Sequence, residues 1–66
     1  MITHPKSLIL HRRVTSCEVE RILVVNEGTF FDVTYNFPTN VKREAIQAVA
    51  FNRRLTEWKE KGFVEV

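Results

Sequence analysis

Cysteine, glycine and long apolar runs are scarce in this chain of 66 residues, and each scarcity excludes a class of structure. Cys17 is the only cysteine, so no disulfide can form within the chain, and a reducing, cytoplasmic setting is expected. Two glycines are too few for a glycine-rich phosphate loop. The N-terminal apolar run spans only residues 8–10, which is far shorter than a signal sequence or a membrane span requires.

Catalytic and metal-binding motifs are missing as well. The two histidines, His4 and His11, are seven residues apart, a spacing that gives little support to a metal site. Cys17 has no second cysteine to form a redox pair, and Asp32 has no paired carboxylate beside it for acid–base chemistry. We therefore expect neither enzyme activity nor a bound metal ion or cofactor.

The composition that remains is that of one small globular domain. Hydrophobic residues make up 44% of the chain and charged residues 27%, and the net charge is +2. A domain of this size buries only about 60% of the surface that its unfolded chain exposes. Because no disulfide can stabilise it, we expect the chain to gain stability by self-association, and we predict a homodimer.

Two segments rich in β-branched and aromatic residues, CEVERILVV and TFFDVTYNF, flank an Asn-Glu-Gly sequence and predict a β-hairpin. We predict a three-residue loop with Gly28 in the left-handed conformation, which sets Leu23 opposite Phe31. A two-residue loop would place Leu23 beside Asp32 and is disfavoured for that reason. The three-residue loop gives the sheet a core face made of Cys17, Val19, Leu23, Val25, Phe31, Val33, Tyr35 and Phe37.

The opposite face of this predicted hairpin keeps three apolar residues near its tip, Ile22, Val24 and Phe30. They are either covered by the N-terminal segment or left as a contact patch for another protein. If they are exposed, Phe30 is the candidate anchor, and Glu20 and Asp32 form a polar rim around it. We predict partner binding at these five residues, and the acidic rim favours a basic partner.

The segment 39–61 predicts a single helix, because it is rich in Ala, Glu, Gln, Lys and Arg. Thr39 or Asn40 can cap its start, and Gly62 can close its end. At helical spacing, one stripe of side chains faces the sheet: Val41, Ala45, Ala48, Phe51, Leu55 and Trp58. Between this stripe and the opposite side of the helix lie Ile46 and Val49, which predict a dimer contact.

These elements combine into one α+β domain, a small antiparallel β-meander of about three strands packed against one C-terminal helix. The predicted domain consists of a flexible arm over residues 1–6, strands within 7–37 and the helix over 39–61. Residues 63–66 either add a short edge strand or anchor Phe63 in the core.

A second predicted surface is basic and includes the helix side that faces away from the core, together with the N-terminal arm. The residues that would contact phosphates or bases there are Arg12, Arg13, Arg43, Gln47, Arg54 and Lys61. The order of three strands followed by a helix resembles, as an architecture, the small DNA-binding sheets of the arm-binding domains of some integrases. In those domains the exposed sheet face enters the major groove. Here that face would offer Glu18, Glu20 and Asp32, which DNA phosphates would repel.

The leftover apolar residues and the absence of catalytic motifs favour a small non-enzymatic protein-binding module. Such a protein acts as a regulator or inhibitor by occupying a partner surface, as small proteins encoded by phages and accessory elements often do. The alternative is a DNA- or RNA-binding protein that uses the basic helix face and the N-terminal arm. No membrane contact is expected.

Overall fold

A computed structural model describes residues 6–66 as one five-stranded antiparallel sheet with a single helix. The elements are β1 (Ser7–Arg13), β2 (Val19–Asn26), β3 (Phe30–Asn36), β4 (Val41–Gln47), α1 (Ala48–Glu60) and β5 (Val64–Glu65). The strand order across the sheet is β4-β3-β2-β1-β5. The predicted α+β class is confirmed, although the meander has four strands rather than three. Of the arm predicted over residues 1–6, all but Lys6 lies outside the described residues.

The β2–β3 hairpin closes with a shorter loop than the sequence predicts. The Glu27 amide donates to the Phe30 carbonyl at 3.0 Å, which leaves Gly28 and Thr29 at the tip. Gly28 has φ of 102°, and its amide donates to the Asn26 side-chain oxygen at 2.9 Å. The predicted three-residue loop is therefore wrong.

The change of loop alters the register of the whole hairpin. Leu23 lies opposite Thr34 rather than Phe31, and Val24 lies opposite Val33. Since this shift is by an odd number of residues, every β2 side chain changes face. Ile22 and Val24 therefore enter the core, whereas Leu23 and Val25 turn away from it. Cys17, also predicted on the core face, is exposed in the segment before β2.

The core lies between one face of the sheet and α1. Phe31 stacks on Phe51 with ring centroids 3.9 Å apart, and Trp58 meets Phe51 edge-on at 6.1 Å. The buried apolar side chains are Leu10, Ile22, Val24, Phe31, Val33, Ile46, Phe51, Trp58 and Phe63. Phe63 thus anchors the chain in the core, and the next two residues form the short edge strand β5.

The first part of the predicted helix is a strand. Residues 41–47 form β4, which pairs with β3 over its full length and buries Ile46 against Phe31. Sheet pairing therefore overrides the helix propensity of these residues. The helix begins only after Gln47, so neither Thr39 nor Asn40 caps it. Val41 and Ala45, predicted on the core stripe, are exposed.

The helix ends at Glu60, and Gly62 closes this end as predicted, with φ of 101°. Its amide donates to the Lys59 carbonyl, and the Phe63 amide donates to the Trp58 carbonyl, at 3.1 and 3.0 Å. This pair of hydrogen bonds is the Schellman arrangement, which needs a left-handed residue and favours glycine there. The turn directs Phe63 back into the core and sets the chain beside β1.

Candidate functional site

The sheet face opposite α1, hereafter the outer face, is not covered by any element within residues 6–66. Strand alternation places the odd-numbered residues of β1, β2 and β4 and the even-numbered residues of β3 on this face. An antiparallel sheet commonly buries one face and leaves the other in water, but the water-facing side is then mostly polar. Here it is not.

Five apolar side chains form a continuous band on the outer face, and we call it the apolar band. Ile9 and Leu23 are direct cross-strand neighbours, Val25 follows on β2, and the Val66 amide binds the Ile9 carbonyl at 2.9 Å. Val64 lies opposite His11 on the neighbouring strand. The exposed fractions are 41% for Ile9, 42% for Val25, 55% for Val64 and 79% for Val66, and Leu23 is half-buried. A contiguous exposed apolar patch of this kind often marks an interface.

Arginine side chains border the apolar band. Arg21 lies opposite His11, and Arg13 lies two residues beyond His11 on β1, on the same face. Neither arginine has an ion pair with another described residue. Among the described strand residues that face outward, Asp32 is the only carboxylate, and it is bound by Arg43 at 2.8 Å. The outer face therefore has an apolar band across β2, β1 and β5, with arginine side chains beside it.

The partner-binding patch predicted from the sequence does not form, because the register divides its residues between the two faces. Ile22 and Val24 are buried in the core. Glu20 lies on the helix side, where its carboxylate binds Arg12. Phe30 and Asp32 remain on the outer face, and Phe30 is 37% exposed. The prediction that these five residues share one surface is wrong.

A groove on the helix side, between the ends of β3 and β4 and the end of α1, has a volume of about 620 Å³. Four of the six residues predicted to bind nucleic acid border it, Arg12, Arg43, Arg54 and Lys61. The guanidinium group of Arg43, however, is held on the outer face by Asp32. The other two predicted residues, Arg13 and Gln47, lie on the outer face.

A polar network forms one wall of this groove. The Tyr35 hydroxyl donates to Glu44, and Arg54 donates to both, at 2.8 Å to the Tyr35 hydroxyl and 2.6 Å to Glu44 Oε1. Burial and the hydrogen bond to Glu44 raise the pKa of Tyr35 to about 12. The hydrogen bonds from Tyr35 and Arg54 lower the pKa of Glu44. At neutral pH the network therefore holds a neutral phenol, a carboxylate and a guanidinium group.

Sequence reasoning missed this network, because it placed residue 44 on a helix. An apolar/polar alternation would have indicated a strand, but over residues 41–47 it is faint, because Ile46 is the only buried apolar residue. The predicted dimer contact is also divided, since Ile46 is buried whereas Val49 is 91% exposed on α1.

Within residues 6–66, no three histidine, cysteine or acidic side chains are grouped closely enough to hold a metal ion. In the same part of the chain, no helix is both long and apolar enough to cross a bilayer. Comparison with known protein families, with curated proteins and with solved structures finds no match.

Proposed function

We propose that this chain is a small protein-binding module, a regulator or inhibitor that acts by covering a partner surface with its outer face. The observation that supports the proposal is the apolar band, which is exposed on an ordered sheet and has polar groups around it. Protein interfaces typically have such an arrangement of an apolar centre and a polar rim. A rigid sheet presents these side chains without the entropic cost of ordering a loop.

The charge of the outer face indicates the chemistry of the partner. Arg13 and Arg21 lie beside the apolar band without carboxylate partners among the described residues, whereas Asp32 is neutralised by Arg43. A complementary surface is therefore apolar with acidic residues around it. This reverses the basic partner expected from the sequence, because Glu20 lies on the helix side. We place the action of the chain in the cytoplasm, where its exposed Cys17 stays reduced.

We expect Val25→Asp to abolish partner capture and Val49→Asp to leave it intact. Both valines are exposed, and the two substitutions introduce the same charge, but only Val25 belongs to the apolar band. Loss of a central interface residue typically costs about 2 kcal/mol or more, roughly a thirtyfold loss of affinity. The measurement is affinity capture from the native host after nuclease treatment, followed by titration of the captured protein against each variant. Equal capture by both variants would exclude the outer face as the partner-binding surface.

We also propose that the chain forms a homodimer through the free edge of β4. Hydrogen bonds from Phe37 to Asn40 and from Ala48 to Thr29 flank the β3–β4 ladder. Because backbone groups alternate in direction along an antiparallel strand, the odd-numbered residues of β4 direct theirs away from β3. Antiparallel pairing of two β4 edges would continue the sheet from one copy into the other. Both outer faces would then remain open.

We expect Ala45→Pro to convert this dimer into monomers of 7.8 kDa. Proline removes an amide that points outward, so the chain's own ladder loses no hydrogen bond, and proline is tolerated on edge strands. The control is Ala45→Val, which keeps the amide and suits a strand. Sedimentation equilibrium measures the mass of each variant. A dimeric Ala45→Pro variant, or a wild-type monomer at high concentration, would contradict the β4 interface.

A further inference from the structure

We propose that the groove on the helix side binds single-stranded nucleic acid, with one base on its aromatic floor and the adjoining phosphates on its basic border. This site lies on the opposite side of the sheet from the apolar band, so it is independent of the proposed protein-binding surface. Three features support it: the aromatic floor, unpaired cations and the dimensions of the groove.

The floor is an aromatic platform that remains partly accessible. Tyr35 and Phe37 are both half-buried, and their rings meet edge-on with centroids 5.8 Å apart. Phe37 in turn stacks over the buried Phe63, at 6.3 Å and an interplanar angle of 18°. Packing on one side therefore holds the Phe37 ring in place while part of it lines the groove. Bases stack on such rings with little regard to sequence.

The border of the groove is basic. Lys42 and Lys61 are exposed, and neither has an ion pair with another described residue. The guanidinium carbon of Arg54 lies 5.8 Å from the centroid of the Trp58 ring. The described polar contacts of Arg54 use Nη2 and Nε, so Nη1 is the nitrogen that can donate to a phosphate. Cations held along a groove attract the phosphates of a strand.

The only carboxylate among the described lining residues is Glu44, and it does little to repel an anion. Its oxygen accepts hydrogen bonds from the Tyr35 hydroxyl and from Arg54, so its charge is largely compensated. At about 620 Å³, the groove has the size of ordinary ligand sites, about 300–1,000 Å³. Such a space accommodates one nucleotide unit and is open to solvent, so a strand can continue beyond it. A duplex keeps its bases stacked inside and cannot use the platform.

Trp58 is the only tryptophan in the chain and packs edge-on against Tyr35 at the floor of the groove, so its fluorescence serves as a reporter of occupancy. We would titrate the full chain with a short oligothymidine, with a duplex of equal length and with thymidine monophosphate. We expect saturable quenching by the single strand, with affinity about tenfold or more above that for the duplex. Equal affinity for the duplex, no binding of the single strand, or equally tight binding of the mononucleotide would each overturn the assignment to a strand.

Two charge-matched double variants locate the site. Lys42→Glu with Lys61→Glu reverses the groove border, and Arg13→Glu with Arg21→Glu makes the same charge change on the outer face. We expect the first to weaken single-strand binding by about tenfold or more and to reduce its salt dependence, and the second to weaken it less than about threefold. Equal losses would mean non-specific attraction, and a larger loss in the outer-face variant would place the strand there. Either result would contradict strand binding in the groove. Loss of protein capture with single-strand binding intact would contradict only the proposed function.

Phe37→Ala separates stacking from charge. We expect this substitution to lower the affinity for the single strand about tenfold. The salt dependence of binding should stay unchanged, because no phosphate contact is removed. Circular dichroism confirms that the variant is folded under the conditions of the titration. Unchanged affinity in a folded Phe37→Ala variant would exclude the aromatic platform.

Discussion

Phe31→Ala is expected to remove a large part of the free energy of unfolding of this protein. The Phe31 ring is only 3% exposed and stacks on Phe51 at 3.9 Å, in the centre of the contact between sheet and helix. Truncating a buried phenylalanine to alanine typically costs about 3–5 kcal/mol. A domain of this size has a total stability of roughly 3–10 kcal/mol. Urea denaturation followed by circular dichroism measures the loss.

Phe30→Ala is the matched control, because the same substitution is made one residue earlier on the opposite face of the sheet. Phe30 is 37% exposed, so its truncation should cost about 1 kcal/mol or less. If the two variants have similar denaturation midpoints, Phe31 does not occupy the core that the structure assigns to it.

The second large effect is expected from Val24→Asp. Val24 is 2% exposed, and the buried side chains described around it are all apolar, so a new carboxylate there has no buried cation to pair with among the described residues. Burying an unpaired charge costs several kcal/mol, so the variant either unfolds or keeps the aspartate protonated and becomes much less stable at high pH. Measurement of the melting temperature across pH distinguishes these outcomes.

Val25→Asp, one residue further along β2, tests the hairpin register at the same time. Val25 points to the outer face and is 42% exposed, so the new carboxylate stays in water and the free energy of unfolding should change by about 0.5 kcal/mol or less. A three-residue hairpin loop would reverse the two results, because it buries Val25 and exposes Val24. The pair of variants therefore decides between the two registers.

Parts of the core could be predicted from the sequence because only one arrangement suits their pattern. On β3, the apolar side chains of Phe31, Val33 and Tyr35 alternate with polar ones, and this determines which face is buried. Phe51 and Trp58 have helical spacing and lie in the core as predicted.

The face of β2 could not be predicted, because both of its sides are apolar. Ile22 and Val24 on one side and Leu23 and Val25 on the other are nearly equivalent in hydrophobicity. The loop alone therefore decided the register, and loop length is weakly encoded when a single glycine can occupy more than one turn position. The apolar band on the outer face results from this same ambiguity, since both sides of β2 are suited to burial.

The strand β4 was not predicted, because the helix propensity of its residues opposes the strand conformation that pairing with β3 imposes. Lys42, Arg43, Glu44 and Ala45 are good helix formers, and only Ile46 is buried. An edge strand needs few apolar residues, so its alternation is faint. The groove depends on β4 being a strand, which brings Glu44 to Tyr35 on the adjacent strand and to Arg54 on α1. No local pattern in the sequence contains that contact.

The most direct test of the outer face as the partner-binding surface is thiol labelling in the presence and absence of the captured protein. Cys17 is first replaced by serine, and a single cysteine is then introduced as Val25→Cys or, for the control, Val49→Cys. Both thiols should react readily in the free protein, because both positions are exposed. In the complex, labelling at position 25 is expected to slow about tenfold or more while labelling at position 49 is unchanged. Protection of position 49 with position 25 still reactive would show that the partner binds the helix side and would contradict the proposal.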